Sequence, residues 1–201
     1  MKKLIGLAVL VIGLISHVSA QQKKEIPSAE VQIKIATQAA PAELRADAKV
    51  YGYDATGKFV TLREGKNGYI CLAPDFSMSM YYAYCYPESL EPFMARGREL
   101  IAEGKRKERD DIRENEFKEG KLFIPQTPTT LHGYWGSANQ LNPETGEMAD
   151  AKRRYVIYVP FAKAADLGLS NKPNNLGTPW LMDEGSYKAH IMITPPIEHT
   201  H

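Results

Sequence analysis

Leu90, Phe93, Met94, Gly97, Leu100, Ile101 and Gly104 fall at offsets 0, 3, 4, 7, 10, 11 and 14, the spacing of one apolar stripe along an α-helix. Such a stripe must be covered, so the chain has to supply a second apolar surface. Segments 49–54, 58–63 and 69–73 are rich in aromatic and β-branched residues and are separated by Ala55-Thr56-Gly57 and by 64–68, which contains Asn67-Gly68. They read as strands of an antiparallel meander. Segments 154–161 and 189–193 read as further strands, with a short helical turn over 162–167 between them. Strands, then helices, then strands predict an α+β fold. A single domain is expected, with an antiparallel sheet, the amphipathic helix packed on it and a second, charged helix. Phe93, Met94, Leu100 and Ile101 should be buried against the sheet beside Val156, Ile157, Val159 and Ile191.

Local signals place the helices. Ser89 is a capping residue before the amphipathic stretch, and Pro92 is tolerated in a first turn, where its missing N–H has no helical partner. Residues 105–119 carry only Ile112 and Phe117 as apolar positions and end at Gly120, so a solvated helix with nearly balanced charge is expected there. Near the start, Ser28 can cap a helix over 29–39 that stops before Pro41. Val31, Ile33 and Ile35 alternate as a strand would, while Ile35, Ala36, Ala39 and Ala40 suit a helix face; the segment is read as helix. Residues 125–152 look irregular, with a turn over 142–146.

The first 20 residues have a different character. Lys2 and Lys3 precede an apolar run, 4–15, and Val18-Ser19-Ala20 follows, the pattern of a secretory signal peptide cleaved after Ala20. The run falls short of the roughly 20 residues of a bilayer span, and no other apolar run is long enough, so no transmembrane segment is expected after cleavage. A periplasmic or secreted protein of about 180 residues, 21–201, results. Cleavage takes two of the 25 basic residues and none of the 24 acidic ones, for a net charge near −1. That excludes a global basic field, and no nucleic acid is expected as a partner. With two cysteines in an exported chain, a Cys71–Cys85 disulfide is the default. It would tie the third strand to the segment opening the next helix and close a loop of about 15 residues, for about 3 kcal/mol in the chain-entropy account.

Several stretches carry a resemblance: 39–43 (Ala-Ala-Pro-Ala-Glu), 63–72 (Arg-Glu-Gly-Lys-Asn-Gly-Tyr-Ile-Cys-Leu), 90–100 (Leu-Glu-Pro-Phe-Met-Ala-Arg-Gly-Arg-Glu-Leu) and 189–193 (Ala-His-Ile-Met-Ile). Together they resemble a family of exported bacterial proteins of uncharacterised function. The resemblance implies export and one domain, and it brings no activity or catalytic residue with it.

No H-E-x-x-H, G-x-S-x-G, Walker loop, G-x-G-x-x-G or Cys-rich zinc spacing occurs, so no cofactor or metal is expected. Of the five histidines, His17 leaves with the leader, and His199 and His201 lie on a tail without fixed geometry. His132 sits in Leu131-His132-Gly133-Tyr134-Trp135-Gly136, where the flanking glycines allow close approach of a backbone or ligand. His190 lies in an apolar strand, and a satisfied structural role competes there with catalysis. Asp183 and Glu184 could pair as acid and base, although adjacent turn residues usually face solvent. Between the cysteines the chain is unusually rich in tyrosine. Packing on the core, a recognition surface and soft-metal capture by Met78 and Met80 compete there. Trp135, Trp180 and Tyr134 either stack on sugar rings or fill the core. The reading that follows is a noncatalytic exported domain binding a partner protein or small ligand through Tyr81, Tyr82, Tyr134 and Trp135. An exported hydrolase using His132 or His190 with a carboxylate or metal is the alternative, and a structural envelope component the third.

Overall fold

The structure is a computed structural model and describes residues 25–174 and 176–196. The signal-like segment 1–20, its cleavage site, and His199 and His201 lie outside the described residues. Within them the chain runs α1 (Ala29–Thr37), β1 (Lys49–Tyr53), β2 (Phe59–Arg63), β3 (Tyr69–Leu72), β4 (Met80–Pro87), α2 (Glu91–Ala102), α3 (Arg109–Lys118), β5 (Thr129–Ser137), β6 (Lys152–Tyr158), α4 (Ala164–Leu167), β7 (Trp180–Met182) and β8 (His190–Ile193). The strands form one sheet in the order β2-β1-β3-β4-β5-β6-β8-β7. This is a single α+β domain. No helix among the described residues is long and apolar enough to cross a membrane.

Both faces of the sheet are covered in its middle. Ser28 Oγ accepts from Val31 N–H at 3.4 Å and starts α1. The helix packs Ile35 and Ala36 onto Val50, Cys71, Ala83 and Cys85. Its Gln32 behaves like an extra strand residue: the side-chain amide donates to Tyr53 O at 2.8 Å, and its oxygen accepts from Tyr53 N–H at 2.9 Å. On the opposite face, Leu90 and Phe93 cover Ile70, Leu72, Tyr86 and Leu131, and Tyr187 closes the cluster. A 3-10 turn, Glu88–Leu90, precedes α2, so Ser89 lies inside that turn and makes no side-chain cap.

Three expectations need correction. First, β3 pairs parallel with β1 rather than antiparallel with β2, so the first three strands are not a meander. After β2 the chain returns past the start of β1, where it is pinned. Arg63 donates to Ala48 O and Arg45 O, Lys66 N–H to Asp47 O, and Asn67 to Leu44 O. A Cβ on Gly65 would collide with the backbone of Lys49, so a glycine is required where the two segments pass. Second, the cysteines, with sulfurs 2.08 Å apart, are bonded as expected but join two neighbouring strands. Cys71 and Cys85 face each other in the β3–β4 register, so the bond does not reach the start of α2. Third, Ile157 and Ile191 face each other on the side of the sheet away from α2. Strand neighbours alternate faces, and only Val156 and Tyr158 of that segment pack toward Phe93. Ile101 and Met94 are half-buried, whereas Phe93, Gly97 and Leu100 are buried.

Candidate functional site

Two expected irregular segments are central strands. β4 lies in the stretch read as an aromatic loop, and β5 in the stretch read as irregular, and the two pair antiparallel. Their alternation sorts the four aromatic candidates. Tyr81 and Tyr134 point toward α1 and are 5% and 3% exposed, members of the core. Tyr134 also accepts the Met148 N–H at 2.8 Å. Tyr82 and Trp135 point to the other face, where Tyr82 is 45% exposed. Adjacent residues of a strand cannot share a face, so the structure brings together only one member of each pair.

That face carries a small lattice. Tyr82, Trp135 and Lys152 form one cross-strand row, and Tyr84, Gly133 and Arg154 form the next. α2 covers the sheet as far as Tyr86 and Leu131 and leaves these rows open. Tyr82 and Trp135 rings lie nearly parallel, 14° apart with centroids at 6.4 Å. The Arg154 guanidinium sits 5.1 Å from the Trp135 ring, and its Nε donates to Thr194 Oγ1 at 3.0 Å. Burial pushes the Tyr84 phenol up, the neighbouring Tyr82 adds to this, and Arg154 opposes both.

At the centre of the lattice is Gly133, the missing side chain that makes a notch of about 140 Å³. Neither backbone nor packing demands glycine there. Its φ is not in the left-handed region, and an added Cβ would meet its nearest atom, Arg154 O, at 3.5 Å, an ordinary contact. Gly136 on the same strand differs, because a Cβ there would meet Asp150 Oδ1 at 2.7 Å and Met148 Cβ at 2.9 Å. One glycine is set by packing; the other leaves a hole between aromatic walls. Tyr84, Gly133 and Arg154 were missed in the sequence because β4 and β5 were not recognised as paired strands.

The histidines do not meet. His132 lies on the α1 face between the rings of Tyr69 and Tyr155, at 6.2 and 5.4 Å. Burial, assisted by Arg153, pushes its imidazole down, so it is neutral near pH 7. His190 lies on the opposite face, two strands away, beside Tyr158. Its Nδ1 is 2.8 Å from Lys188 O, and since a carbonyl only accepts, Nδ1 carries the hydrogen. Asp183 Oδ2, 3.9 Å away, is beyond hydrogen-bond reach. Nor do Asp183 and Glu184 act together, as Asp183 faces Lys188 and Glu184 accepts the Ala164 N–H at the start of α4. Among the described residues no three His, Cys, Asp or Glu side chains gather as a metal requires. Met78 is exposed in the turn before β4, while Met80 Sδ lies 3.7 Å from Ser137 Oγ. Trp180 is on the edge strand β7, three strands away from Trp135.

A longer groove of about 740 Å³ runs between the β1–β2 hairpin and α2, walled by Tyr51, Phe59, Ala95 and Ile101. Its central charge is matched from within: Arg98 donates to Glu91 at 2.6 Å and to the Tyr86 hydroxyl at 2.8 Å, and Tyr86 donates to Glu91 at 2.7 Å. The notch at Gly133, by contrast, keeps the open edge of a cation. No family model, curated protein or solved structure matches this chain, so the geometry alone bears on its function.

Proposed function

We propose that this chain is an exported bacterial protein, periplasmic or secreted, and a noncatalytic binding domain that takes a partner or small ligand at the notch between Tyr82, Tyr84 and Trp135. The observation that carries the reading is Gly133, a glycine that neither strain nor crowding requires, at the centre of an exposed aromatic lattice. Rigid aromatic rings bind at little entropic cost, and a gap among them admits a ring or an apolar edge. Export is supported by the pattern of residues 1–20 and suits the disulfide. The placement of His132 and His190 on opposite faces favours binding over the hydrolase alternative.

A ligand screen and pull-down on the purified protein tests the site, comparing wild type with Trp135→Ala and Gly133→Val, which remove a wall and fill the notch. Phe59→Ala in the α2 groove serves as control. Binding lost in the first two and kept in the third supports the reading. The opposite pattern moves the site to the α2 groove. Mass spectrometry of the extracytoplasmic protein should find Gln21 as its first residue.

A further inference from the structure

We infer that the notch at Gly133 receives an acidic sugar unit, a pyranose ring whose carboxylate pairs with Arg154; the inference rests on the binding reading above and adds the ligand's charge. Arg154 is held from two sides, by Thr194 Oγ1 at Nε and by the Trp135 ring, and among the described residues nothing bonds its two terminal nitrogens. Each of the other half-buried or buried arginines already has a carboxylate or backbone carbonyls. Arg96 holds Glu116, Arg98 holds Glu91, Arg109 and Arg113 hold Asp110, and Arg45, Arg63 and Arg153 donate to backbone carbonyls. A guanidinium fixed at Nε with its fork open is a preorganised receptor for the two oxygens of a carboxylate.

The surroundings fit that charge. No acidic residue lines the notch. Lys152, two residues before Arg154 on the same face of β6, roots a second cationic side chain about 7 Å along the strand. The nearest acid in sequence, Asp150, accepts the Ser137 N–H and hydroxyl. The walls fit a sugar ring: flat aromatic surfaces for its C–H face, and the Tyr82 and Tyr84 hydroxyls for its oxygens. A notch of about 140 Å³ suits one ring rather than a helix or a buried drug-sized ligand. Two cations on a nearly neutral protein are too few to track a nucleic-acid backbone.

Calorimetric titration of the purified protein with a short oligouronide, its methyl ester and a single-stranded oligonucleotide tests the inference. The free acid should bind at least about tenfold more tightly than the ester. Arg154→Gln and, as a charge-preserving second variant, Arg154→Lys should reduce or abolish that preference while leaving weak ester binding, and Gly133→Val should weaken both sugars. Equal affinity for acid and ester, unchanged in Arg154→Gln, overturns the acidic ligand and leaves the binding reading standing. Preference for the oligonucleotide, or binding of neither sugar, overturns the sugar. Sugar binding that Gly133→Val leaves intact overturns the site itself, and the binding reading with it.

Discussion

Lys188 Nζ lies 2.9 Å from Asp110 Oδ2, tying α3 to the turn that leads into β8. Asp110 also accepts from Arg109 and from the buried Arg113, each at 2.9 Å. Burial alone would raise its carboxyl; the hydrogen bonds from Arg109, Lys188 and Arg113 outweigh that and hold it well below the usual range. A carboxylate depressed in the folded state stabilises fully above its unfolded value near 4, and that stability is lost as pH falls toward the folded value. Asp110→Asn should cost about 1 to 2 kcal/mol at pH 7, a modest figure because Asp110 is half in solvent. Urea titrations at stepped pH should show the gap between variant and wild type narrowing below about pH 4, and a constant gap would count against this account.

Leu100 and Ile101 are neighbours on α2 with unlike surroundings. Leu100 is completely buried, so Leu100→Ala should cost about 2 to 5 kcal/mol. Ile101 lines the open groove, and its truncation should cost about 1 kcal/mol or less. Chemical denaturation of both variants gives the ratio, and equal losses would mean that the helix is rotated from the position described.

The two glycines of β5 make a matched pair. Gly136→Ala drives a methyl group against Met148 and Asp150 and should destabilise by about 1 to 3 kcal/mol. Gly133→Ala places it in ordinary contact and should be neutral or slightly stabilising, since a strand interior gains from losing a glycine. Thermal melts of the two variants separate these outcomes.

His132 is held neutral by burial and by Arg153, so its folded imidazole titrates below the unfolded value near 6.5. The unfolded chain therefore takes up a proton first, and stability falls as pH drops through that window. His132→Phe keeps a ring between Tyr69 and Tyr155 and should flatten the decline between about pH 7 and 5. Denaturation midpoints across that range are the measurement, and an unaltered slope would exclude His132 as its source.

The readable parts of this fold were those with one face in water. α2 shows its stripe because its outer side is polar, and the charged α3 is equally plain. β4 and β5 escaped for another reason. The middle of β4 alternates between buried and exposed, but the open positions of the two strands hold Tyr82, Tyr84 and Trp135 rather than charged or polar residues, so the polar alternation that marks a half-buried strand is missing from the sequence. Gly133 and Gly136 made β5 look like a loop as well. The β1–β3 pairing was hidden because a parallel neighbour leaves no hairpin turn in the sequence; Asn67-Gly68 follows a crossing rather than a hairpin. Of the site, Tyr82 and Trp135 were legible as residue types. Which tyrosines would face outward depended on a register that composition does not encode.

The β3–β4 disulfide sits where no reductant can reach it, both sulfurs being sealed between α1 and the sheet. Thiol exchange needs direct attack on sulfur, so the bond can break only after α1 has lifted from the sheet. In mild reductant the rate of thiol appearance therefore acts as a clock for spontaneous opening of the domain, and a molecule passing briefly through a reducing environment leaves it with the bond intact.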